Sequence, residues 1–320
     1  MISKSKGLNF LGQFLLLTAT VAWGSSFIIL KETINALPAL YVIGIRFLIA
    51  ALLIGVIFFG KIRKTDKKTF INGVILGLVL TGAYITQTLG LKYITAGKNA
   101  FITSLNCVMC PFMVWMIFGV KPKSYNIISA VLCVIGIGFV AISGSGEDSN
   151  MILGSVLTFA CAVFYGLQIV FTGKFHESKS DVMQLLFIQL LIVGVLITAC
   201  SLAFELPFCG IEAYKIGSEQ VWRIVYLTLI CTLYTQLTQI VSLKFTESNQ
   251  AAIILSLEAV FGVIFAILIG DEKITPTLWA GFGIIFIGTL LSELRLDVFK
   301  LFGKKNKTAI NADAEKEELE

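Results

Sequence analysis

Residues 86–108 read TQTLGLKYITAGKNAFITSLNCV, and residues 238–260 read TQIVSLKFTESNQAAIILSLEAV. Laid over each other at a shift of 152, they share nine identities in 23 positions. These are Thr86/Thr238, Gln87/Gln239, Leu91/Leu243, Lys92/Lys244, Ala100/Ala252, Ile102/Ile254, Ser104/Ser256, Leu105/Leu257 and Val108/Val260. An apolar bias explains Leu on Leu, but it does not place Gln on Gln, Lys on Lys and Ser on Ser. Farther out, Trp23-Gly24 falls on Tyr165-Gly166 at a shift of 142, and Arg46-Phe47-Leu48 falls roughly on Gln189-Leu190-Leu191. The chain is one unit written twice.

Of its 320 residues, 57% are hydrophobic and only 14% charged, with a mean hydropathy of +0.89. Soluble domains hold roughly 45–50% and about 25%. So few charges cannot coat a globule in water, and so many apolar residues exclude disorder. Polar breaks leave ten apolar segments, near 9–30, 40–59, 70–91, 99–118, 125–143, 152–173, 182–205, 219–243, 250–270 and 277–296. Each has the ~20 residues a helix needs to cross a bilayer. Transmembrane strands are about 10 residues long and alternate in polarity, and these segments do neither. The first segment is too long for a signal peptide and has a repeat mate, so it is read as retained.

Five crossings per half is an odd number, so the second half is inverted relative to the first. The expected fold is therefore an all-α polytopic membrane protein of ten transmembrane helices in two inverted five-helix repeats. The expected divisions are an N-terminus 1–8, repeats 9–145 and 151–296, and a polar, disordered or weakly helical tail 297–320. Lys and Arg number 17 on the N-terminus, alternate loops and tail against five on the opposite loops, with Lys61, Arg63, Lys64, Lys67 and Lys68 the largest cluster. Positive loops stay cytoplasmic, which puts both termini inside and the chain in the cell membrane. The net charge of +5 then needs no nucleic-acid partner. Inverted repeats build alternating-access carriers, with the substrate at the repeat interface near the midplane.

The order of short motifs narrows this. The first half carries Trp23-Gly24-Ser25-Ser26-Phe27, Ile45-Arg46-Phe47, Ala100-Phe101-Ile102-Thr103-Ser104-Leu105 and Gly136/Gly138. The second carries Leu257-Glu258-Ala259-Val260-Phe261, Gly270-Asp271-Glu272-Lys273-Ile274-Thr275 and Gly281/Gly288. In these motifs the chain resembles the EamA-type branch of the drug/metabolite transporter superfamily over about 10–296. It departs from that pattern at Ala259, where the family often has Pro, and at Gly119-Val120-Lys121-Pro122, where it often has Gly-Glu. The resemblance implies solute transport, commonly export of amino acids or other small metabolites.

Ionisable and polar groups inside the spans locate the candidate site. A charge at mid-membrane costs about 2.5–3.5 kcal/mol and usually faces a cavity or partner. Glu258 lies mid-span with Asn106 as its repeat mate. It is read as a substrate contact or proton-linked switch, with a structural hydrogen bond as the alternative. Thr232, Thr235, Gln236 and Gln239 follow helical spacing and are expected on one face. Thr81, Tyr84 and Thr88 do the same on the third span, beside Gln87. These residues line a wet cavity or act as interhelical glue. Trp23 and Tyr165 are expected to wall it or to pack the core. Arg46 is expected to snorkel outward or to close an external gate with Glu32, and Glu272 to be a loop charge or a gate. The G-x-x-x-G of Gly73 and Gly77 is read as packing within one chain rather than a dimer contact.

Cys107-x-x-Cys110 lacks further ligands for zinc and is read as buried hydrophobe, while His176 is read as a loop residue. No cofactor or metal is expected, and no catalytic set is visible. The expected partners are a small polar solute, protons as a candidate coupling ion, and lipid, for a monomer or homodimer. A channel, which would need pore charges or a filter loop, and a carrier-like sensor are the alternatives.

Overall fold

The computed structural model describes residues 6–142, 149–177, 180–242, 245–246, 248–273 and 275–294. The expected tail, Lys244 and the side chain of His176 lie outside the described residues. Among those residues the chain forms α1 (Lys6–Ala36), α2 (Ala39–Ile57), α3 (Lys67–Tyr93), α4 (Ala96–Phe118) and α5 (Ser124–Ile142). A second set follows: α6 (Ser149–Glu177), α7 (Val182–Cys209), α8 (Ser218–Ser242), α9 (Ser248–Leu268) and α10 (Pro276–Glu293). Seven are membrane-length apolar helices, and α5, α9 and α10 hold shorter apolar stretches. The protein is thus a ten-helix membrane bundle. Several helices run past their predicted apolar segments, because backbone hydrogen bonding continues into polar flanks.

Local chemistry sets the ends. Asp66 caps α3 by accepting from Lys68 N at 3.2 Å, and Asp181 caps α7 from Met183 N at 2.9 Å and Gln184 N at 3.3 Å. Thr95 and Thr275 cap α4 and α10, the positions where a side-chain oxygen satisfies otherwise unpaired first-turn N–H groups. Gly119, at φ 72°, closes α4 in the left-handed conformation that glycine takes at least cost.

Three of the described helices are irregular: α7 carries a π-turn at Ser201–Glu205, and α4 and α8 break for different reasons. α4 breaks at Ser104–Leu105, where Leu105 N turns to Ile102 O at 3.2 Å and Cys107 N to Ser104 O at 3.3 Å. Pro111 lies in the next turn. Its ring opposes the Cys107 carbonyl, the usual cause of such a kink. α8 carries a π-turn at Leu229–Tyr234, which shifts its register by one residue.

Close contacts give the directions. α6 runs parallel to α4, with Gly154 against Tyr93–Ile94 and Gly166 against Asn106–Cys110. Since α4 opposes α1, α6 starts the second half inverted. The most extensive contacts between the halves come in mates: α1–α9 with α6–α4, α3–α6 with α8–α1, and α3–α7 with α8–α2. The α2–α7, α4–α9 and α5–α10 pairs cross on the pseudo-twofold itself. Gly73 and Gly77 meet Ile188 and Ile192 of α7, so this G-x-x-x-G seam lies within one chain.

The distribution of polarity is that of a membrane protein. Leu52, Val56, Leu78, Met116, Val134 and Ile152 are exposed on the outside, while Arg46, Gln87, Asn99 and Gln189 are buried. In water such an exterior would be an aggregation surface, and in lipid it is the matching solvent.

Candidate functional site

A cavity of about 190 Å³ lies between the halves and is lined by α1, α2, α3, α4, α6, α8 and α9. Repeat mates meet across it: Trp23 with Tyr165, Ser26 with Gln168, Gln87 with Gln239, Ser104 with Ser256, Tyr84 with Gln236, and Asn106 with Glu258. The cavity therefore sits on the pseudo-twofold axis.

Eight of the nine expected substrate contacts are brought together in this wall: Glu258, Asn106, Gln87, Tyr84, Gln236, Gln239, Trp23 and Tyr165. Thr235 is not. It is fully buried, and its hydroxyl donates to Cys231 O at 2.9 Å in its own helix. The expected single stripe on α8 is split by the π-turn. Thr232 turns toward α2, whereas Gln236 and Gln239, beyond the turn, reach the cavity. On α3, Thr81 donates to Gly77 O at 2.8 Å and stays off the wall.

The wall is ordered by hydrogen bonds and ring contacts. Gln87 donates to Thr103 Oγ1 at 3.3 Å and accepts from the Tyr165 hydroxyl at 3.4 Å. Asn99, fully buried, donates to Gln87 O at 3.2 Å and Thr158 Oγ1 at 2.9 Å. Tyr84 packs edge-on against Phe47 at 4.5 Å and against Tyr165 at 5.8 Å. This is the preferred geometry for aromatic pairs.

Arg46 departs from expectation. It is 2% exposed and lines the cavity instead of reaching headgroups. Its Nε donates to Thr232 Oγ1 and Nη2 to Cys231 O at 3.1 Å, and its guanidinium lies 5.9 Å from the Tyr84 ring centre. The expected partner Glu32 pairs instead with Arg223 at 2.9 Å. The cavity thus holds one cation and one carboxylate, Glu258, which are not ion-paired with each other among the described residues.

The two ends of the cavity differ. The basic end holds the loop bearing Lys61 to Lys68, and the opposite end holds the α3–α4 and α7–α8 connections. Toward that opposite end the lining is closed: Leu30, Leu91, Asn99 and Ala100 are all buried. Toward the basic end, Gln168, Gln236, Gln239 and Leu255 are half-buried and Ile169 is exposed. α4 and α9 produce the difference. Gly97 and Ala100 pack on Val263 and Gly262, but beyond its kink α4 leans on α5, α6 and α10 rather than on α9.

Charged side chains cap neighbouring helices at the closed end. Glu272, after α9, accepts from Thr95 Oγ1 and from Gly97 N at 3.1 Å, at the start of α4. Glu205 of α7 accepts from Leu40 N at 3.0 Å and Tyr41 N at 3.2 Å, at the start of α2. Lys31 of α1 donates to the Leu91, Lys92 and Ile94 carbonyls at the end of α3. Each charge complements the dipole end it meets.

The residues that sequence reasoning missed had partial signals. Ser26 and Gln168 each lie three positions after an expected wall aromatic, hence on the same helix face. Cys107 follows Asn106 into the wall. Asn99 and Thr103 lie seven and three positions before Asn106, an expected wall residue, and so share its helix face by the same spacing.

The chain matches the EamA-like transporter family over residues 10–142 and 152–294. An uncharacterized transporter of Archaeoglobus fulgidus is 26% identical over 86% of this chain and 83% of its own. A probable amino-acid metabolite efflux pump of Escherichia coli K12 is 26% identical over 91% of this chain and 96% of its own. A protein crystal structure with 14% identity superposes at a TM-score of 0.63, covering 88% of this chain and 96% of that one, and shares the fold.

Proposed function

Because this chain belongs to the EamA-like transporter family, we propose that it is a secondary carrier that exports a small polar metabolite, such as an amino acid, by alternating access. The observation that carries this reading is the axial cavity, walled by repeat mates from both halves and closed at one end only. A site shared by inverted repeats can be exposed to either side by rocking one half on the other. By the positive-inside rule the basic end is cytoplasmic, so the open end accepts solute from the cell, and both termini are assigned to the cytoplasmic side of the cell membrane. The name of the Escherichia coli relative favours the same direction and class.

The chemistry fits a compact solute with hydrogen-bonding groups. A cavity of about 190 Å³ falls below the ~300–1,000 Å³ of drug-sized sites. Glu258 and Asn106 both line it as repeat mates, Gln87, Gln236 and Gln239 supply amides, and Trp23, Tyr84 and Tyr165 supply ring faces. Solute enters from the basic end. Closure there brings the lower parts of α4 and α9 together, and Glu272 releases the start of α4 to open the other end.

Proteoliposome counterflow with a panel of radiolabelled L-amino acids tests the reading. Saturable, solute-specific exchange is expected. Unsaturable flux or ion current identifies a channel, and no exchange with any amino acid removes the proposed substrate class.

A further inference from the structure

We propose that Arg46 takes the anionic end of the transported solute, a carboxylate, and that Thr232 and the π-turn of α8 position it for that role. This rests on reading the axial cavity as the solute site.

Four observations converge on it. Arg46 is 2% exposed yet forms part of the cavity wall. A guanidinium so deep in a membrane bundle is costly unless partnered, and it has no carboxylate within ion-pair distance among the described residues. Its bonds to Thr232 Oγ1 and Cys231 O use two of its five N–H donors. Both lie on α8, which fixes the plane of the fork. The faces of Phe47 and Tyr84 at 5.6 and 5.9 Å stabilise the cation without supplying an acceptor.

The π-turn makes this arrangement possible. Thr232 Oγ1 donates to Leu227 O at 2.9 Å, five residues back, so its hydroxyl oxygen stays available to Arg46 Nε. In regular helix Thr232 would share the face of Gln236 and Gln239 and point into the cavity. The second repeat has Gln189 at the position roughly equivalent to Arg46, and it is buried too. The fold thus packs a neutral amide at this depth, and the cation in the first half answers a need other than packing. Planar, two-pronged donation is the geometry that best matches a carboxylate. Glu258, across the axis, is left for the cationic end.

The test measures binding of L-amino acids and their L-amino-acid amides to purified full-length protein by thermal shift. The amide keeps the ammonium and side chain and removes only the anion. For each amino acid that wild type binds, the amide is expected to bind about 10-fold or more weakly, as loss of a charged hydrogen bond requires. In Arg46→Gln the acid and amide become equal to within about 3-fold, while Arg46→Lys keeps part of the preference. Thr232→Val, which keeps the charge but loosens it, weakens the acid while still preferring it over the amide. Arg46→Lys and Thr232→Val also guard against misfolding of the glutamine variant. Wild-type preference surviving in Arg46→Gln, or no preference in wild type, overturns the proposal and leaves the cavity reading intact. If no amino acid and no amide shifts wild type, the proposed amino-acid substrate class falls, and this proposal falls with it.

Discussion

Gly24 and Gly166 are repeat mates, but an added methyl meets very different surroundings at the two positions. At Gly24 a Cβ would lie 2.5 Å from Phe261 Cβ and 2.9 Å from both Gly262 N and Phe261 C. At Gly166 its nearest neighbours would be Met109 Cβ at 3.3 Å and Asn106 O at 3.4 Å. Carbon contacts are optimal at about 3.5–4.0 Å, so Gly24→Ala must part α1 and α9 by about 1 Å. No rotamer change relieves this, because the obstacles are backbone atoms and a Cβ. Overpacking of this kind costs about 1–3 kcal/mol, which is about tenfold in the folded fraction for each 1.4 kcal/mol. Gly166→Ala needs only a few tenths of an ångström from its neighbours and is expected within about 0.5 kcal/mol of wild type. Thermal stability in detergent, read by fluorescence-detected size exclusion, compares the two directly. Equal losses in both variants, or none in Gly24→Ala, would refute the tight α1–α9 contact.

Other perturbations separate the parts of the account. Glu258→Gln is expected to keep the size-exclusion profile and to lower counterflow about 10-fold, equivalent to about 1.4 kcal/mol; a wild-type rate at every pH removes Glu258 from the transport cycle. Glu272→Ala deletes the cap on α4 and, at about 1.5 kcal/mol for a charge-assisted bond, shifts the open-end equilibrium about tenfold. Accessibility of the half-buried Cys107 to a thiol reagent added at the basic end should fall as that end closes, and unchanged labelling argues against a gating role for Glu272. Gly77→Leu drives a side chain into Ile192, whose Cβ lies 2.6 Å from an added Cβ. It should lower thermal stability without changing particle mass by light scattering, and a mass change would mean that the seam also joins chains.

Much of this was legible in the sequence because inverted repeats leave marks that survive divergence. Gln87 on Gln239 and Ser104 on Ser256 gave the halves, and Asn106 on Glu258 pointed to the axis where both now line one wall. What was illegible came from backbone irregularity and from contacts far apart in sequence. Helical periodicity put Thr232 and Thr235 in the cavity, but the π-turn carries Thr232 toward α2, and Thr235, just beyond it, is buried with its hydroxyl bonded back to Cys231 O. Arg46 looked like an interfacial cation because a span map has no depth beyond chain position. Only the fold shows α8 closing over it. The caps at the closed end were hidden for a related reason: Glu272, Glu205 and Lys31 each serve a helix other than their own. The asymmetry of the two ends follows from Pro111, which kinks α4 where its mate in α9 is Val263.

The central claim is that the contact between α4 and α9 must part for solute to leave. An added Cβ at Gly97 lies 3.2 Å from a Val263 methyl, close enough for paired cysteines to form a disulfide. In a background without the seven native cysteines, Gly97→Cys with Val263→Cys should exchange solute when reduced and stop when oxidised. Solute should still bind from the basic end in the oxidised protein, and reductant should restore exchange. Undiminished exchange through the oxidised pair would contradict the account.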